Sequence, residues 1–179
     1  MLNKLFNEDL QIKMTSFFAE TLSKKGTIKS LKKNECIVCD DADNLYIVLS
    51  GGINQMIVSK SGDEVLLYRL DRGTIFGEMD YFEGHATKII AKAVKNTQVS
   101  IIQRDVLEDE LIKHPEIYKY FMHSIVRKYR ILLLNIADFN FNDSLGKVAN
   151  AILRLAYTTK YRRIDQESYD MVNMQITHE

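Results

Sequence analysis

The sequence predicts an α+β fold, in which an antiparallel, jelly-roll-like β-roll is followed by a long helix. Three observations carry this expectation. Six of the eight glycines fall between residues 51 and 84, at intervals typical of turns. The segments on either side of them are short and rich in Ile, Val, Leu and Tyr, as strands of a closed or rolled sheet require. Beyond the single proline, Pro115, glycine almost disappears and apolar residues recur at spacings of three and four.

From the N-terminus, Leu10, Ile12, Met14, Phe17, Phe18 and Leu22 place a short amphipathic helix over residues 9–23. The strands follow as Leu45–Leu49, Ile53–Val58, Glu64–Leu70, Ile89–Val94 and Gln98–Ile102. Gly51-Gly52 and Lys60-Ser61-Gly62-Asp63 supply the turns of two hairpins. Pro115 suits the first turn of a helix, where its missing N–H costs nothing. In that helix Met122, Ile125, Tyr129, Leu132, Ile136 and Phe139 form a heptad-like seam suited to a partner helix, so a homodimer is expected. Phe121, Val126 and Leu133 widen the apolar face enough to cover the roll as well. Asn142-Asp143-Ser144 reads as a break and a fresh N-cap before a second helix over Leu145–Tyr157. Tyr169–Ile176 then reads as a strand and Thr177 as another cap.

Composition bounds the function. With 179 residues, 46% of them hydrophobic and 27% charged, the chain can bury a substantial core. It shows no apolar run of membrane-spanning length and no secretory leader, so the expectation is a cytoplasmic protein with no membrane association. The net charge is zero, yet residues 113–163 hold ten Lys/Arg against three Asp/Glu. That block suits a solvated helical face or an element near a polyanion. Cys36 and Cys39 have CxxC spacing but fall in a strand-like run, where positions three apart face opposite ways, and no further Cys or His completes a zinc set. Structural thiols are the favoured reading, and redox pairing remains the alternative.

Three stretches, in order and spacing, resemble the Crp/Fnr family of bacterial transcription regulators: Asn44–Gly51, Phe76–Ala93 and Asp138–Val148. The resemblance runs from about Leu45 to Ile176. It implies a cyclic-nucleotide-binding-like roll over residues 1–113, a dimerisation helix over 114–141, and the start of a winged helix-turn-helix over 142–179. The recognition helix of such a DNA reader is absent, and an end just past a helix cap is what a truncated chain would show. DNA contact is therefore expected through a C-terminal domain missing from this chain, and a small-molecule effector through the roll.

In nucleotide-binding members of that family, a Gly-Glu pair meets the ribose and an Arg-Ser pair nine residues later grips the cyclic phosphate. Here Gly77-Glu78 stands at the first pair, but Thr87-Lys88 replaces the second. A lysine one position along a strand faces the other way and lacks the bidentate fork of arginine. Leu132 and Leu133 stand where cyclic-AMP responders present hydroxyls to the base. Cyclic AMP is thus not the expected effector. The resemblance instead implies a small ligand, partly aromatic or anionic, between roll and helix. Gly77, Glu78, Met79, Tyr81, Thr87, Lys88 and Ile90 would contribute from the roll, and Lys128, Tyr129, Leu132 and Leu133 from the helix. Two of these carry open alternatives. Lys128 either extends to solvent or pairs with a ligand anion, and Glu78 either meets the ligand or is a solvated turn carboxylate.

No catalytic residue, metal or cofactor is expected. The His-x-His pair of metal cupins, which share the roll architecture, is absent, as is any Ser-His-Asp or Cys-His pattern. Two cysteines are too few for an iron-sulfur cluster, and His85, His114, His123 and His178 are scattered. The competing reading is a stand-alone cyclic-nucleotide-binding regulatory module with no DNA reader.

Overall fold

A computed structural model describes residues 7–38, 43–85, 87, 89–149 and 152. The chain divides into two compact units, Met1–Leu132 and Leu133–Glu179. This boundary falls inside the long helix, whereas the sequence reading placed its first boundary between residues 113 and 114.

The first unit begins with α1 (Glu8–Glu20), whose N-cap Asn7 accepts a hydrogen bond from the Leu10 amide through its side-chain oxygen. A 3₁₀ turn over Leu22–Lys25 leads into eight strands. These are β1 (Thr27–Leu31), β2 (Cys36–Val38), β3 (Asn44–Ser50), β4 (Ile53–Val58), β5 (Glu64–Leu70), β6 (Ile75–Phe76), β7 (Ile89–Ala93) and β8 (Thr97–Gln103). They form two four-stranded antiparallel sheets, ordered β1-β8-β3-β6 and β2-β7-β4-β5. A short helix, α2 (Glu78–Glu83), separates β6 from β7, and α3 (Arg104–Lys113) follows β8. Pro115 sits in a 3₁₀ turn, Pro115–Ile117, that runs directly into α4 (Tyr118–Phe141). No helix among the described residues is long and apolar enough to cross a membrane.

The five strands read from sequence are all present, each within one or two residues of its expected ends. β1 escaped that reading because Thr-Ile-Lys-Ser-Leu has little apolar alternation and four of its five residues are exposed. β2 is short and carries Cys36, a free and exposed thiol, while Cys39 lies outside the described residues.

Alternation in β3 explains how one sheet serves two cores. Tyr46 and Val48 turn inward between the sheets, where they meet Leu31, Phe76 and Val99 from their own sheet and Ile37, Ile53, Tyr68, Leu70, Ala91 and Ala93 from the other. Leu45 and Ile47 turn outward to join Met14, Phe18, Leu22, Leu107, Leu111, Ile117 and Phe121. Because both faces are covered, Leu45–Val48 is an unbroken buried run, unlike a strand with one wet face. Burying side chains of the Phe or Leu class contributes roughly 1.5–3 kcal/mol each.

α4 presents Phe121, Ser124 and Lys128 as its buried face, at spacings of three and four, with Ile131 and Leu132 packed against the inter-sheet core. Met122, Val126 and Tyr129 face solvent, at 60%, 38% and 60% exposure. Of the expected seam in this unit, Met122 and Tyr129 are therefore open, while Ile125 is half-buried and Leu132 leans on the roll.

In the second unit Leu133, Ile136 and Phe139 are exposed. The expected break is present at residues 142–143, where Asp143 Oδ1 accepts the Gly146 amide at 2.8 Å, and residues 144–149 are helical. The cap is Asp143, and Ser144 belongs to the helix. The remainder of the second helix, the expected strand Tyr169–Ile176 and the Thr177 cap lie outside the described residues.

Candidate effector site

The loop that follows β6 is shaped by a glycine that no other residue replaces cheaply. Gly77 has φ +86°, and a Cβ there would lie 2.7 Å from the Asn44 carbonyl oxygen. With that left-handed turn made, the chain enters α2 and drives Glu78 into the protein instead of towards water. Glu78 is 0% exposed, so the solvated-carboxylate alternative does not hold. Asp80, also buried, accepts the Thr87 amide at 2.8 Å and closes the far end of the loop.

Lys128 reaches Glu78 from α4. Its ammonium lies 2.5 Å from Glu78 Oε1 and donates a second hydrogen bond to the Ile75 carbonyl at 2.8 Å. The lysine neither extends to solvent nor waits for a ligand anion. Its charge is neutralised by a carboxylate of the chain itself, and its third neighbour is the Tyr68 ring, 5.8 Å from the ammonium to the centroid. Two buried charges persist together only because the pair is close and further hydrogen-bonded.

Burial, with the Glu78 charge second, pushes the Tyr68 hydroxyl up to about 12. A spectrophotometric titration should therefore show late-ionising tyrosine absorbance, part of which disappears in Tyr68→Phe. Because the folded value exceeds the ordinary one of about 10, the unfolded chain releases this proton first, and Tyr68 contributes stability that fades as pH rises from about 10 to about 12.

Two acceptors in this region have no partner. Glu78 Oε2 is buried without a hydrogen bond, and so is Gln55 Oε1 on β4. Asn54 Oδ1 is a third, although alternation along the strand sends Asn54 to the other face of β4. Gln55 is cross-strand partner to Tyr68 on β5 and to Ala91 on β7, so all three share the inner face of one sheet.

The residues expected from sequence thus divide. Gly77, Glu78 and Lys128 converge on Tyr68 and the inter-sheet core, and Leu132 packs against that core. Tyr81 instead joins the outer cluster, where Arg104 lies over its ring at 4.4 Å. Met79, Thr87 and Ile90 are half-buried, Tyr129 is 60% exposed, and Lys88 lies outside the described residues. Leu133 is an exposed residue of the second unit. Gln55 and Tyr68 were missed, since a Gln and a Tyr inside strand-like runs carry no motif. The one available signal was that Gln55 interrupts an otherwise apolar alternation.

Comparison with known proteins agrees with this architecture. Residues 28–114 match the cyclic nucleotide-binding domain family. The CRP-like cAMP-activated global transcriptional regulator of Mycobacterium tuberculosis is 29% identical over 117 residues, covering 65% of this chain and 52% of that protein. The anaerobic regulatory protein of Bacillus subtilis is 24% identical over 155 residues, covering 85% and 65% respectively. The alignment to the Mycobacterium protein thus spans about half of its length. Among solved structures, FixK2 from Bradyrhizobium japonicum superposes with a TM-score of 0.64 at 19% identity, over 74% of this chain and 67% of that one, which shows a shared fold. With the glycine turn, two antiparallel sheets and long helix all in the expected order, residues 28–114 form a domain like the cyclic nucleotide-binding domain family, and the chain is similar to regulators of the Crp/Fnr type over the part that these matches span.

Proposed function

We propose that this chain is the sensing and dimerising part of an effector-responsive transcription regulator. The observation that carries the proposal is the buried ion pair between Glu78, on the loop of the roll, and Lys128, on the long helix. An effector that meets Glu78 necessarily alters what holds α4, so a signal at the loop reaches the helix through one contact. Glu78 Oε2 remains as an acceptor for a ligand hydroxyl or amine.

Two copies pair through the exposed stripe that begins Met122, Val126, Tyr129. Effector binding then favours one arrangement of helix on roll, acts through residues 139–142, and sets the spacing of two DNA readers on successive half-sites. Only a ligand with different affinity for the two arrangements can do this.

Cyclic AMP is not that ligand. By the resemblance read from the sequence, Thr87 takes the place of the phosphate-gripping arginine, and its amide is bonded to Asp80. Calorimetry with cyclic AMP should show no binding up to millimolar concentration, and tight binding would overturn the assignment. Separately, the double substitution Met122→Glu and Tyr129→Glu should convert a dimer to a monomer in sedimentation, with little change in melting, because both side chains are exposed.

A further inference from the structure

We propose that Gln55 determines the specificity of the roll, and that its ligand is an uncharged, compact molecule with an apolar body and at least one O–H or N–H donated to Gln55 Oε1. This inference rests on the reading of the roll interior as the effector site.

Gln55 is 2% exposed and its oxygen has no partner. A desolvated amide oxygen left unbonded costs about 1–3 kcal/mol, and an apolar residue at this position would avoid that cost. The backbone is arranged to keep it there. The register of β4 against β5 shifts between Gln55 and Met56, passing from Tyr68 to Leu66 and skipping Leu67. The extra residue belongs to β5, while β4 keeps regular register with β7, so Gln55 stays on the inner face opposite Tyr68 and Ala91. Tyr68 on one neighbouring strand and Ala91 on the other are its cross-strand partners on the same face. An aromatic ring and a small side chain beside it suit a flat apolar body.

Charge excludes the ionic classes. Among the described residues Lys128 is the only buried lysine or arginine, and Glu78 already neutralises it. Beside Tyr68 the two buried charges therefore cancel, and an anion or cation entering there would leave a net buried charge, which costs far more than one hydrogen bond returns.

Backbone-amide NMR titration of the whole chain tests this with six probes on one ring. Benzyl alcohol and benzamide carry donors, benzyl methyl ether and N,N-dimethylbenzamide lack them, and benzoate and benzylammonium are charged. The first two should perturb the amides of Gln55, Tyr68 and Glu78 and bind roughly tenfold or more tightly than the other four. Gln55→Leu should lose about tenfold of that affinity while melting at or above the wild-type temperature, because the oxygen it removes has no partner. Equal binding by charged or donor-free probes overturns the inference. So does undiminished binding to Gln55→Leu, or a melting temperature lowered by several degrees, which would mark Gln55 as structural; in those cases the roll remains the effector site. If no probe perturbs these amides, the effector-site reading fails along with it.

Discussion

Lys128→Met lowers the stability of the first unit by roughly 3–5 kcal/mol, the loss expected when one member of a buried ion pair is removed and the other is left without its counter-charge. Methionine keeps the length of the side chain and its apolar stem, so the packing of α4 is largely preserved and the loss reports on Glu78. That carboxylate is 0% exposed, and its Oε1 accepts from the Lys128 ammonium. Combining Lys128→Met with Glu78→Gln should recover most of the stability, since a neutral amide can be buried more cheaply than a charge. Urea midpoints of the two single variants and the double variant measure this directly. If the double variant is no more stable than Lys128→Met alone, the two charges are not coupled.

Phe121→Ala has an effect of similar size, roughly 3–5 kcal/mol, for a different reason. Phe121 is 1% exposed and lies edge-on to Phe18 of α1, at 5.2 Å between centroids, and to Phe82, at 5.6 Å. Removing the ring leaves a cavity in the outer cluster between α1, α2 and α4, lined by the rings that packed against it. The consequence for function follows from the spacing along α4. Phe121 fixes the helix to the outer cluster two turns before Lys128 enters the roll, so its loss should loosen the Lys128–Glu78 contact as well. Phe121→Leu, which fills most of the volume, should recover much of the loss. A chemical-denaturation series over wild type, Phe121→Leu and Phe121→Ala checks the order.

The fold was legible wherever local chemistry left one option. The glycines between residues 51 and 84 marked turns because few other residues adopt their backbone angles, and apolar alternation then gave β3, β4 and β5 nearly to the residue. α2 was hidden because six residues are too few for a helical period to show, and α3 because its first turns are dominated by charge. Of the seam read on α4, Met122 and Tyr129 are exposed and Ile125 and Leu132 half-buried, while Val126 is exposed, a distribution that tertiary packing decides.

The site was half legible. Gly77 and Glu78 were singled out by the resemblance, which left open whether the carboxylate meets a ligand or water. Lys128 stood out as a charge within an apolar face, yet sequence alone could not say whether it turned to water or inward. Gln55 and Tyr68 became neighbours only through strand pairing, and the shift of register between β4 and β5 has no signature in composition.

The most direct test of the account is nitrogen-15 NMR of the Lys128 ammonium group in the whole chain at neutral pH. The account predicts a slowly exchanging, protected ammonium signal, distinct from those of the exposed lysines, that shifts in Glu78→Gln. An ammonium that exchanges as fast as the others, and is indifferent to residue 78, would show that Lys128 lies in solvent and would contradict the link between roll and helix.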